Sequence, residues 1–132
     1  MIENQSQAKT IGELGEQWVA DLYKKRGHKI IGRNYAIFWK KKVGEIDVIA
    51  TVSKRLVMVE VKTRTSENFM PLEETVNYSK QSTLRRMAKL YVQNHPQYED
   101  YDLQIDIAAL LMDPVDKSVK SAKIIENAIE DV

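Results

Sequence analysis

The spacing of hydrophobic and polar positions changes several times along the chain, and each change marks an element. Ile11, Leu14, Trp18 and Leu22 recur every three or four positions, the stripe of an amphipathic helix. That helix is expected from Thr10 to about Arg26, with Gly27 as its C-terminal stop signal. Lys29 to Phe38 reads as a first strand, followed by a turn over Trp39-Lys40-Lys41-Lys42. Two runs rich in β-branched residues come next, Gly44 to Ala50 and Leu56 to Arg64, and the short link Thr51 to Arg55 makes them a hairpin. A loop centred on Ser53-Lys54 pairs Ile49 with Met58 and Asp47 with Glu60. Asn77 is the expected N-cap of a second helix, striped by Leu84, Met87, Ala88 and Tyr91 and reaching Asn94 before His95-Pro96 stops it. Leu103 to Leu111 alternates as a strand, in which Asp106 is expected to be half-exposed. After a turn at Asp113-Pro114, Ala122 to Ile129 forms a last strand or a short helix.

The hairpin is apolar on both faces, Val48, Ala50, Val57, Val59 and Val61 on one and Ile49, Leu56 and Met58 on the other. A sheet of that kind is covered on both sides, so the pattern predicts an α/β fold with a mixed sheet flanked by helices. At 132 residues the chain suits one domain over 9–132, preceded by a polar segment 1–8 expected to be disordered. It has no run of 18 apolar residues and no basic-then-apolar start, so neither a membrane span nor a secretory signal is expected. The absence of cysteine excludes disulfides and thiolate metal sites and is compatible with a cytoplasmic location.

The net charge of +1 conceals an asymmetry. Residues 1–95 hold 17 Lys/Arg against 10 Asp/Glu, a balance of +7, and residues 96–132 hold 3 against 9, a balance of −6. A basic majority of the chain suits a domain that meets phosphate with one face. The lysine run Lys40-Lys41-Lys42 beside Trp39 has the make-up of a surface that tracks a nucleic-acid backbone.

The candidate chemistry lies in the hairpin. Directly opposed side chains in an antiparallel pair have Cβ atoms about 4.5–5.5 Å apart, so Asp47 and Glu60 form a carboxylate pair. Such a pair repels itself unless a cation or a proton separates it. Lys62 lies two residues beyond Glu60 and shares its face. Two carboxylates suffice to hold Mg²⁺ or Mn²⁺ when water and a substrate phosphate complete the shell, and an adjacent lysine can activate the attacking water. From spacing alone, the same residues also suit a charged hairpin end exposed to solvent. Glu45, on the same strand, can join through water or pair with Lys42 or Lys62. His28 and His95 lack ligand spacing.

Gly44-Glu45-Ile46-Asp47-Val48-Ile49-Ala50 together with Val59-Glu60-Val61-Lys62-Thr63-Arg64 resembles the central motifs of the YraN-type bacterial proteins. These are small predicted endonucleases, similar to archaeal Holliday junction resolvases within the PD-(D/E)xK superfamily. The likeness extends from about Gly12 to Ala109. It implies a restriction-endonuclease-like core and an Mg²⁺- or Mn²⁺-dependent endonuclease acting on nucleic acid, with DNA and branched DNA as the expected substrates. Gly15-Glu16 matches the helix Gly-Glu of that family, which implies that Glu16 joins Asp47, Glu60 and the Val61 carbonyl around the metal. Lys80-Gln81 matches its Lys-Gln pair, making these residues, with Thr63, Arg64, Lys40, Lys41 and Lys42, candidate nucleic-acid contacts. A homodimer is compatible with the resolvase likeness. A nucleic-acid-binding module without turnover and a partner-binding protein with no nucleic-acid affinity are the competing readings.

Overall fold

The computed structural model describes residues 9–66 and 78–129. Helix α1 (Ile11–Lys25) opens on a capping box. The Thr10 hydroxyl accepts the Glu13 N–H at 3.1 Å, and the Glu13 carboxylate accepts the Thr10 N–H at 2.9 Å. At its other end Gly27 takes φ +92°, the left-handed conformation that glycine adopts without a Cβ penalty. Three antiparallel strands follow, β1 (Lys29–Trp39), β2 (Lys41–Val52) and β3 (Arg55–Arg64). After α2 (Tyr78–Asn94) and a 3₁₀ turn at Pro96–Tyr98, strand β4 (Asp102–Met112) pairs parallel to β3, and β5 (Val119–Ile125) pairs antiparallel to β4. The sheet order is β1-β2-β3-β4-β5, a mixed α/β arrangement consistent with a restriction-endonuclease-like core.

Each face carries one helix, as the doubly apolar hairpin requires. Val19, Ala20 and Tyr23 of α1 cover Val48, Ala50, Val57, Val59, Val61, Ala108, Leu110 and Met112. Leu84, Met87, Ala88 and Tyr91 of α2 cover Ile46, Ile49, Leu56, Met58, Ile105 and Ile107. The expected stripe of α2 is therefore the buried one. That of α1 is rotated in part: Ile11 and Leu14 pack against the core, but Trp18 is 37% exposed and Leu22 half-buried, and the helix buries Gly15, Val19, Ala20 and Tyr23. A Cβ built on Gly15 would stand 2.4 Å from the Thr63 methyl, so close approach decides the docking face, ahead of the number of apolar atoms. Gly12 has no such role, since a Cβ there meets nothing nearer than 3.9 Å.

Three further expectations are corrected. Trp39 and Lys41 to Lys42 are strand, paired Trp39 with Lys41 and Phe38 with Lys42, so the turn contracts to Lys40 with φ 67°. The last element is a strand, and it begins at Val119, before Ala122. Asp106 is fully buried, not half-exposed. Its Oδ2 accepts the Tyr23 hydroxyl at 2.5 Å, and its Oδ1 accepts the Gln104 amide and the Asn127 N–H, each at 2.8 Å. Burial, then the bond to Asp106, pushes the Tyr23 phenol above its ordinary range. The expected N-cap Asn77 and the segment 67–76 before it lie outside the described residues, as do residues 1–8.

Candidate metal centre at the end of the hairpin

The β2–β3 ladder matches the expected register, Ile49 opposite Met58, and its last pair is Val48 opposite Val59. The next step would oppose Asp47 to Glu60, and there the two strands part. The side-chain period of β2 also slips at this point. In a regular strand Ile46 and Val48 would share a face. Here Ile46 packs under α2 with Ile49, and Val48 packs under α1 with Ala50. The β1 residue across from the slip is Asn34, at φ 50°. Where the backbone ladder stops, the Asp47 side chain continues it: Val61 N–H donates to its Oδ2 at 2.8 Å.

Glu60 is 4% exposed. Its Oε2 lies 3.3 Å from the Lys80 ammonium and 3.8 Å from that of Lys62. Its Oε1 is buried and has no hydrogen-bond partner. Leaving a buried acceptor unmet costs about 1–3 kcal/mol, more for a charged group. Burial, and then repulsion from Glu60, push the Asp47 carboxyl up to about 7, against the opposing pull of the Val61 N–H. The two acids thus differ in their neighbours. Glu60 has two ammonium groups, whereas among the described residues no cation makes an ion pair with Asp47.

Glu16 projects from α1 toward the same region. Its Oε1 accepts the Asn34 amide at 2.9 Å, and burial raises its carboxyl, with Glu45 and Glu60 adding to the effect and Arg33 opposing it. Glu45 pairs with Lys42 at 2.6 Å. Among the described residues, no three of the acids and histidines converge closely enough to form a metal cage of their own. The donor set nonetheless suits a hard divalent ion, because Mg²⁺ is held by one or two carboxylates and leaves its remaining positions to water and phosphate. Asp47, Glu60 with its unmet oxygen, and the Val61 carbonyl are such donors.

The remaining expected residues are spread around this centre. Lys80 reaches it from the first turn of α2, and Gln81 follows, half-buried. Thr63 sets its methyl against Gly15, and Arg64 lies at the end of β3 beside Thr65 and Ser66. Lys40, Lys41 and Lys42 stand apart at the exposed tip of the β1–β2 hairpin. Asn34 was missed by the sequence reading. Its one signal is an amide residue, tolerant of positive φ, inside an otherwise strand-like run.

Known proteins resemble the chain over most of its length. A UPF0102 protein of Caldanaerobacter subterraneus subsp. tengcongensis is 36% identical over 120 residues, covering 91% of this chain and 94% of that one. A UPF0102 protein of Alkaliphilus oremlandii is 40% identical over 100 residues, covering 75% and 82%. Among solved structures, a FdxN element excision controlling factor protein from Anabaena variabilis aligns with 83% of this chain and 98% of its own, at 14% identity and a TM-score of 0.38. That likeness is too low to carry an argument about fold or function. The uncharacterised protein family UPF0102 matches residues 15–110, a span that includes Glu16, Asp47, Glu60, Lys62, Lys80 and Gln81, and the chain belongs to that family.

Proposed function

We propose that the protein is an Mg²⁺- or Mn²⁺-dependent nuclease that hydrolyses nucleic-acid phosphodiester bonds, DNA first among them, as the PD-(D/E)xK resemblance implies. The observation that carries this reading is the Asp47–Glu60 pair at the end of the hairpin, with one Glu60 oxygen buried and unmet and the other 3.3 Å from the Lys80 ammonium and 3.8 Å from that of Lys62. A binding module has no need to place two carboxylates side by side where a phosphate would approach, since both repel it. Asp47, Glu60 and the Val61 carbonyl would hold the ion, with Glu16 close enough to add its charge. Bound there, a divalent ion polarises a phosphoryl oxygen and lowers the pKa of water. The Val61 N–H fixes the orientation of the Asp47 carboxylate. Lys62 would orient the attacking water, whose proton passes to solvent, and with Lys80 would balance charge on Glu60 and on the incoming phosphate.

The test compares branched, duplex and single-stranded substrates with Asp47→Asn, Glu60→Gln and Lys62→Ala, alongside calorimetric titration of Mg²⁺ and Mn²⁺. Asp47→Asn and Glu60→Gln should lose metal binding and cleavage while binding nucleic acid equally or more tightly. Lys62→Ala should retain the metal and lose about 10²–10³ in rate, the usual share of one electrostatic stabiliser of the transition state. Binding should weaken with salt, with a log–log slope of about −0.9 per duplex phosphate contacted. If the wild type takes up no divalent ion even with DNA present, and all three variants bind DNA as it does, the protein is a binding module and the nuclease reading is wrong.

A further inference from the structure

The β1–β2 hairpin outruns the rest of the sheet. The β2–β3 ladder stops at Val48, but β1 and β2 remain paired to Trp39 and Lys41. The intervening six residues of β2 extend about 20 Å at the usual strand rise. The base of this arm is packed, since Tyr35, Ile37 and Val43 join the α2-side core. Its tip is not: Phe38 is 68% exposed and Trp39 73% exposed, and Lys40, Lys41 and Lys42 are exposed beside them. Lys42 is engaged by Glu45, while among the described residues Lys40 and Lys41 make no ion pair.

The pairing decides what such a tip can bind. Phe38 lies across from Lys42, and Trp39 across from Lys41. Successive strand residues point to opposite faces, so each face of the ribbon presents one ring with one lysine beside it, Lys42 beside Phe38 being paired with Glu45 and Lys41 beside Trp39 making no ion pair among the described residues. That arrangement is poor for docking on another protein, because neither face offers a contiguous apolar patch and interface cores are depleted of lysine. It suits a base with its phosphate: the ring stacks on the flat heteroaromatic face while the ammonium meets the charge. Bases within a duplex are already stacked on one another, so the ring can be used only where a base is unpaired.

We propose that Phe38 and Trp39 form a base-stacking site that selects nucleic acid carrying unpaired bases about 20 Å from the phosphate held at Asp47 and Glu60, with Lys40 and Lys41 on the adjoining phosphates. The inference rests on the nucleic-acid reading of the Asp47–Glu60 centre. It names what distinguishes the substrate from plain duplex.

Trp39 is its own reporter once the second tryptophan, Trp18 on α1, is replaced by phenylalanine. The full-length Trp18→Phe protein is titrated in EDTA with oligothymidylate, with a blunt duplex and with an abasic phosphodiester strand of equal length. Oligothymidylate should quench Trp39, and the other two should not. Phe38→Ala combined with Trp39→Ala, in the otherwise wild-type chain, should weaken oligothymidylate binding at least about tenfold and duplex binding less than about twofold. Both side chains lie outside the core, so the variant should keep the wild-type unfolding transition. Equal losses on both substrates, or quenching by the abasic strand, would overturn base stacking in favour of phosphate contact alone. A Trp39 response to anionic phospholipid vesicles or to self-association, with none to oligothymidylate, would overturn it in favour of a membrane or a second copy. If the wild type binds neither nucleic acid at low salt, the nuclease reading fails as well. If Asp47→Asn binds DNA and loses cleavage while the aromatic variant matches wild type, only the stacking site fails.

Discussion

Asp47 is the residue on which the electrostatics of the centre turn, because it is half-buried beside a carboxylate and, among the described residues, makes no ion pair. Its carboxyl titrates near 7 in the folded chain and near the ordinary value of about 3.9 in the unfolded one. Between those values the folded state binds more protons than the unfolded state, so stability falls as pH rises. The metal-free protein should therefore be more stable near pH 4 than near pH 8 as far as this group decides it, losing the difference through pH 7. Asp47→Asn keeps an acceptor for the Val61 N–H and removes the charge. At pH 8 in EDTA it should melt about 3–8 °C higher, the shift that 1–2 kcal/mol produces in a domain of this size. Saturating Mg²⁺ should raise the wild-type midpoint and leave that of the variant unmoved. A lower midpoint for Asp47→Asn under these conditions would mean that the Asp47 carboxyl is not held up by burial and by repulsion from Glu60. The closeness of Asp47 and Glu60 was readable from the sequence because the turn fixes the register as far as Val48 opposite Val59, whereas the parting of the strands one step later, which leaves the two acids unpaired in the ladder, was not. Asp106 was misread because its flanking polar residue Gln104 suggested a solvated face, although Ala108, Leu110 and Met112 on that same face mark a strand buried on both sides. Asn34 escaped for a different reason, since its contribution depends on a slip in β2 that no periodicity announces.

Elements were legible where one apolar stripe had one partner, and less so where shape decided. Helix α2 docks on the stripe that its sequence declares. Helix α1 carries a larger apolar side chain, Trp18, than any on its docking face, yet turns it outward so that Gly15 can meet Thr63. The two glycines of α1 therefore make opposed predictions. Gly12→Ala meets open space and should gain up to about 1 kcal/mol from helix propensity. Gly15→Ala gains the same propensity but drives a methyl onto Thr63 and to 3.1 Å from the Leu110 side chain, an overpacking that costs about 1–3 kcal/mol. Urea denaturation of the two variants should place their midpoints on either side of wild type. Since α1 also carries Glu16, Gly15→Ala should lower metal affinity as well, and Gly12→Ala should not. Equal midpoints would show that the sheet yields to the extra methyl.

Over the whole molecule, sequence distance divides the candidate centre. Glu16, Asp47, Glu60 and Lys62 lie within α1 and the three antiparallel strands that follow it, all joined by short connections. Lys80 lies in the long crossover between β3 and β4, which a parallel pair cannot do without. Contacts between distant segments are slow to form because loop closure must precede them. The structure thus implies an order of assembly. The meander can bring Asp47 against Glu60 while Lys62 alone of the two ammonium partners is present, so the repulsion is met on the way up the folding barrier. Lys80 arrives on the far side. In stopped-flow refolding, Asp47→Asn should speed folding several-fold in EDTA and change unfolding little. Lys80→Ala should do the reverse, leaving the folding rate near wild type and accelerating unfolding. On this account the carboxylate pair that makes the centre also sets how fast the protein forms, and Mg²⁺ in the refolding buffer should speed folding.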